Sequence, residues 1–140
     1  MAIRQLSVFM ENKKGSLHDI TDILAKNNID LRSMCIADTA DYGIVRIIAN
    51  DPDRALEVLQ STGHVANIRE VTAFAVPDCP GGLAKVLDLL ENNGIDIEYL
   101  YALITTATDK AYAVMRTADG AATENLLTQN GVEILAEKNI

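Results

Sequence analysis

The chain has 140 residues, 49% of them hydrophobic, enough for a packed core and too many for a disordered chain. Its 20 acidic residues outnumber its 12 basic ones, and the net charge of −8 excludes nucleic acid and anionic lipid as partners. Trp is absent and aromatics are few, so stacked bases find no platform, and no apolar run reaches the roughly 20 residues that span a bilayer.

The first residues, Met1-Ala2-Ile3-Arg4-Gln5, lack the charged and apolar regions of a signal peptide, so a cytoplasmic location is expected. Ile3 to Met10 has strand length, with Leu6, Val8 and Met10 on one face and Ile3 and Phe9 on the other. Gly15 breaks the run. Ser16 is expected as a helix N-cap, with Asp19 in capping-box spacing. Leu17, Ile20, Ile23 and Leu24 recur at helical intervals up to Asn27-Asn28. Ile29 to Ala37 reads as a strand, with Ile29, Leu31 and Cys35 on one face and Met34 and Ile36 on the other. Asp38-Thr39-Ala40-Asp41 is a turn, and Gly43 to Ala49 is β-branched and completes a hairpin. Asp51 caps the next helix with Pro52 at its first position, and Gly63 stops it. Val65 to Val76 holds the last strand of one unit and the first of another, with no Gly/Ser linker between them.

The order then repeats. Glu11-Asn12-Lys13-Lys14-Gly15-Ser16-Leu17 returns as Pro77-Asp78-Cys79-Pro80-Gly81-Gly82-Leu83, and Ile29-Asp30-Leu31 returns as Ile95-Asp96-Ile97. A helix from Gly81 to Asn93 is capped by Gly94. A strand continues through Glu98 to Thr105 and pairs with Ala111 to Thr117. A second helix, Ala121 to Gln129, turns at Asn130-Gly131 into a last strand, Val132 to Ala136. Each unit reads strand-helix-strand-strand-helix-strand. The fold class is therefore α+β, two ferredoxin-like βαββαβ units with four-stranded antiparallel sheets, covering residues 1–70 and 71–140. In the second unit Leu100, Ala102 and Ile104 alternate with Tyr99, Tyr101 and Leu103. Only one set can meet the helices, so the other should pack on a sheet of the other unit or of another chain, and a homodimer is expected.

A Gly turn that opens a helix points several N–H groups at one spot, where a carboxylate can dock. An ammonium beside it would take Asn12 with Asp30, or Asp78 with Asp96, as acceptors. The plainer alternative is that Gly15 and Gly81 permit turns while those polar residues are solvated caps. Lys13 and Lys14 could draw an anion or simply be a solvated loop. His18 and His64 have no further ligand at metal spacing. Cys35 and Cys79 lie in neither C-x-x-C nor zinc spacing and are expected as unpaired thiols packing as small apolar residues. No Ser/Cys-His pair, phosphate loop or metal set suggests an enzyme, and no cofactor is called for.

The pattern Asn12-x-x-Gly15-x-Leu17, an apolar helix, then Asn28-Ile29-Asp30-Leu31 resembles the first half of an ACT domain. Asp78-x-Pro80-Gly81-x-Leu83 followed by Gly94-Ile95-Asp96-Ile97 resembles a second copy. The resemblance covers nearly the whole chain and is to small stand-alone tandem ACT proteins without a catalytic domain. It implies a regulatory module that binds a free amino acid at interfaces between ACT domains and passes the bound state to a partner enzyme or regulator. The alternative is a ligand-independent assembly subunit. The implied ligand-binding residues are Asn12, Lys14, Gly15, Ser16, Leu17, Asp30 and Leu31 in the first copy. In the second they are Asp78, Pro80, Gly81, Gly82, Leu83, Asp96 and Ile97. Lys14 stands where the family usually has Pro, which implies a looser first loop. Asp78 stands where Asn is commoner, which implies a preference for a cationic group.

Overall fold

The computed structural model describes residues 2–38, 41–104 and 109–140, leaving the side chain of Asp38 aside. The chain divides into two compact units, one of Arg4–Arg69 and one of Glu70–Ile140 that also includes Ala2 and Ile3. The division falls inside one long strand, β4 (Val65–Pro77), which serves both units, as the missing linker suggested.

The first unit holds β1 (Ile3–Glu11), α1 (Ser16–Lys26), β2 (Leu31–Asp38), β3 (Tyr42–Ala49), α2 (Pro52–Ser61) and the first part of β4. Its strand order is β2-β3-β1-β4, with β3 antiparallel to both neighbours. Alternation along β1 puts Leu6 and Val8 against Val45 and Ile47 of β3 and the apolar stripes of the helices, Ile20 and Leu24 of α1 and Ala55, Val58 and Leu59 of α2. The opposite face of β1 is more polar than its neighbours suggest: Gln5 and Ser7 are buried there, with the Gln5 amide donating to Ser7 Oγ at 3.1 Å, while Phe9 is exposed.

The second unit repeats the plan with the rest of β4, α3 (Gly82–Asn92), β5 (Ile97–Leu103), β6 (Lys110–Thr117), α4 (Gly120–Gln129) and β7 (Glu133–Leu135), followed by a 3₁₀ turn. Its order is β5-β6-β4-β7, all antiparallel. Phe74, Val86, Leu90, Met115 and Leu127 form its core. Tyr101 and Leu103 point away from that core and are buried at 8% and 6% exposure. This is two ferredoxin-like units of α+β class, as read from the sequence. Among the described residues no helix is long and apolar enough to cross a membrane.

Three expectations need correction. Gly15, not Ser16, is the N-cap of α1; Ser16 is the first helical residue and no side chain caps this helix, so the capping box with Asp19 does not form. The second strand starts at Leu31 and carries a bulge between Leu31 and Ser33. The extra residue reverses the alternation, so Met34 and Ile36 share the helix-side face with Leu31, and Cys35 does not. The second unit has the matching bulge between Ile97 and Tyr99. Ile29 belongs to the helix exit instead of the strand: its N–H returns to Leu24 O at 3.0 Å, and Asn28 takes φ 57°. Part of the expected 38–41 turn, Thr39 and Ala40, and the expected strand end at Thr105 lie outside the described residues.

Candidate functional site

The two Gly loops fold alike. Gly15 and Gly81 have φ of 87° and 84°, a region open to glycine and costly for residues with a Cβ. In the first loop Asn12 N–H donates to Asp41 O at 3.0 Å, Lys13 N–H to Glu11 O at 2.9 Å and Ser16 N–H to Lys13 O at 3.3 Å. In the second Asp78 N–H donates to Asp109 O at 3.0 Å, Cys79 N–H to Pro77 O at 2.9 Å and Gly82 N–H to Cys79 O at 3.0 Å. The fourth amide of each helix returns to its cap, Asp19 N–H to Gly15 O and Lys85 N–H to Gly81 O. That leaves Leu17 and His18 at α1, and Leu83 and Ala84 at α3, with N–H groups that have no acceptor among the described residues.

The other two helix starts differ. Asp51 caps α2 through Arg54 N–H and Asp119 caps α4 through Ala122 N–H, each at 3.0 Å. The third helical amide is thus taken by an aspartate side chain in α2 and α4 and left open, at His18 and Ala84, in α1 and α3, next to exposed Asn12 in one loop and Asp78 in the other. Each loop pairs anion-accepting donors with a side-chain acceptor close by in sequence. Sequence alone does not mark His18 and Ala84 as donors, because a backbone N–H leaves no side-chain signature; only its distance from the Gly cap marks it.

The glycine pair of the second loop has two separate causes. Gly81 is needed for its φ. Gly82 has ordinary dihedrals but packs so closely that a Cβ would lie 2.2 Å from the Pro77 carbonyl oxygen. Ser16 occupies the matching place in the first loop. Pro80 precedes Gly81, whereas the first loop has exposed Lys14. Of the lysine pair, Lys13 is engaged by Glu11 at 3.1 Å. Cys35 and Cys79 are both free thiols, and Cys79 is exposed in the loop instead of packed.

The structure does not bring Asn12 to Asp30 within a unit, nor Asp78 to Asp96. Asn12 follows Glu11, which faces Tyr42 at one end of β3; Asp30 precedes Leu31, which faces Ala49 at the other end. The two ends are about 20 Å apart at about 3.3 Å per residue. In the second unit Pro77 faces Lys110 and Ile97 faces Thr117, again at opposite ends of one strand. Asp30 accepts from Arg32 at 3.1 Å, and its N–H donates to Asn50 Oδ1 at 3.0 Å. Asp96 and Ile97 line a shallow hollow of about 220 Å³ with Leu87, Leu90, Glu91, Gly94 and Ile95. Gly82 lines a groove of about 450 Å³ that runs along α3 past Lys85, Val86 and Leu89 to Val132. The acid of the same unit therefore lies out of reach of anything held at its loop.

Comparison with known proteins bears on this geometry. The family model described as an ACT domain pair matches residues 1–140. Protein BT0572 from Bacteroides thetaiotaomicron has a crystal structure similar to this one, at 40% identity and a TM-score of 0.93, covering 99% of this chain and 95% of that one. The ligand-free regulatory subunit of aspartate kinase from Thermus thermophilus is similar in fold, at 15% identity and a TM-score of 0.68, with 91% and 92% covered. The corresponding subunit from Thermus flavus gives 16% identity and 0.62, with 90% of each chain covered. No curated protein matches the chain.

Proposed function

The chain belongs to the ACT domain pair family, and from that premise we propose that it is a non-catalytic, cytoplasmic regulatory protein that binds a free amino acid and passes the bound state to a partner. Its two ACT domains would be residues 1–70 and 71–140. The observation that carries the proposal is the contrast between helix starts: in α2 and α4 an aspartate side chain takes the third helical amide, while α1 and α3 start at a left-handed glycine with no side-chain cap and with the second and third amides open. A ligand carboxylate would take the Leu17 and His18 amides at Gly15-Ser16, or the Leu83 and Ala84 amides at Gly81-Gly82. Its ammonium would take Asn12 or Asp78, and the second loop, with a full carboxylate, would hold it more firmly. Lys14 and Pro80 shape the two loops, and Asp30 with Leu31, or Asp96 with Ile97, would serve the ligand of a neighbouring domain. The regulatory subunits of aspartate kinase with the same fold support a partner enzyme or regulator as the receiver.

Transmission is linkage: a ligand that touches two domains favours the arrangement that closes around it, and a partner reads that arrangement. A second copy of the chain, giving a homodimer, would supply the neighbouring domain. The second reading, a ligand-independent assembly subunit, draws on exposed apolar side chains of the first unit, Phe9 and Tyr42 on one sheet face and Met34 and Ile36 on edge strand β2.

A thermal-melt screen against free amino acids tests the choice. One amino acid or chemical class at about 100 times its dissociation constant should add about 2.7 kcal/mol and raise the midpoint by several degrees. Gly81→Val should remove the part of the response owed to the second loop, since a β-branched residue there is strained and covers the amides. No response to any amino acid would favour the assembly subunit.

A further inference from the structure

One fold occurs twice in this chain, and the start of its second helix is built in two ways. Asp51 and Asp119 cap α2 and α4 alike, and Leu6 faces Ile47 as Thr72 faces Met115, which sets the equivalent positions. In the first unit Leu6, Ala49, Pro52 and Ala55 are buried there and Leu56 packs on the core. Arg4 closes the place with an ion pair to Asp53 at 2.9 Å. In the second unit the same positions hold Thr72, Thr117, Gly120, Thr123 and Glu124, and the ion pair is replaced by Glu70 and Ala121. What leucine and proline fill in one copy is an open cavity of about 490 Å³ in the other, within the size range of small-molecule sites, roughly 300–1,000 Å³.

The cavity is polar where its counterpart is apolar. Thr117 and Thr123 satisfy each other at 2.7 Å, but Thr72, only 3% exposed, has a hydroxyl with no protein partner among the described residues. That hydroxyl faces the bare Gly120, where a Cβ would lie 3.9 Å from it. It lies on the cavity wall, where water or a ligand can bond it. Asp119 takes the Ala122 amide with its side chain and the Thr123 amide with its carbonyl, leaving the Gly120 and Ala121 amides without acceptors among the described residues. Arg116 also lines the cavity, held by Glu98 at 3.0 Å and by the Glu70 carbonyl at 3.1 Å. Glu70 and Glu124 line the same cavity.

We propose that this cavity binds a small zwitterion, an α-amino acid, with its carboxylate on the Thr72 hydroxyl and the Gly120 and Ala121 amides and its ammonium toward Glu124. A plain anion would sit beside two carboxylates, and a plain cation would leave the donors unmet. The site is separate from the Gly81 loop: Thr72 and the loop after Pro77 lie at opposite ends of the β4 segment that pairs with β6.

The test uses the full chain with Gly15→Val and Gly81→Val in place, which blocks both loops. Titration calorimetry against free amino acids should still show binding. Thr72→Val, which keeps the shape and removes the hydroxyl, should raise the dissociation constant about tenfold, and Thr72→Leu with Gly120→Pro, rebuilt after the first unit, should abolish binding. No binding to the loop-blocked chain, or binding unchanged by Thr72→Val and by the refilled variant, overturns the proposal. If the loop-blocked chain does not fold, the number of sites per chain is counted with the loops intact; the refilled variant must lose one site, and an unchanged number overturns the proposal. Failure of the loop reading would look different, since Gly15→Val and Gly81→Val would then leave binding as it was.

Discussion

Gly82→Ala isolates one close approach. Its Cβ would lie 2.2 Å from the Pro77 oxygen, where side-chain contacts are normally at least 3.0 Å. The obstacle is backbone, and Pro77 is fixed by its pairing with Lys110, so the start of α3 must move by about 1 Å. Overpacking of this kind costs about 1–3 kcal/mol, and the lower entropy of the unfolded chain with alanine returns about 0.5 kcal/mol. The expected net loss is about 1.5 kcal/mol in urea unfolding, or roughly 3–6 °C in midpoint. Ser16→Gly, at the matching place in the first loop, should cost under about 1 kcal/mol. Because the displaced turn carries the Leu83 and Ala84 amides, Gly82→Ala should also weaken amino-acid binding at the second loop. Stability within about 0.5 kcal/mol of wild type would refute the packing argument.

Asp51→Ala and Asp119→Ala should each cost about 1 kcal/mol in denaturant unfolding, since each removes the side-chain acceptor of a helix start. The Asp22 carboxylate is held below its ordinary range, first by the hydrogen bond from Lys26, whose ammonium lies 2.7 Å away. A depressed carboxylate stabilises above its unfolded pKa and loses that contribution as pH falls through the folded value. Asp22→Asn should therefore flatten the acid limb of the stability profile slightly, and added salt should erase the difference, because the pair is exposed.

Element order was legible because the chain writes it twice. Asp51-Pro52, Gly63 and Gly94 stop and start helices by backbone rules that sequence exposes directly. The faces of β2 were not legible: the bulge between Leu31 and Ser33 is a pairing event, and nothing in Leu31-Arg32-Ser33 announces it. The cap of α1 was misread because Ser16 has the right chemistry one residue too late; the sharp turn places Gly15 at the cap, in a conformation serine would resist. The two Gly loops were legible; the separation of Asn12 from Asp30 was not. Asn12 and Asp30 stand on either side of one helix in sequence, and a helix that returns antiparallel to its strand carries the second residue to the far end of the sheet.

That separation and the two kinds of helix start have one explanation. An aspartate cap adds stability by taking the third amide of its helix, one of the donors that a ligand at a loop would use. A glycine held near φ 85° cannot be replaced by aspartate without strain, so both loops forgo the cap by construction. The donors left open then have only solvent or a ligand to satisfy them. The acids at the far ends of the sheets cannot reach those donors from within their own unit. A molecule bound at either loop as proposed would draw its second half from elsewhere, and its occupancy would be coupled to how domains assemble. The first unit has no such opening at α2, where Leu6 and Pro52 fill the space, while the second has a cavity at α4.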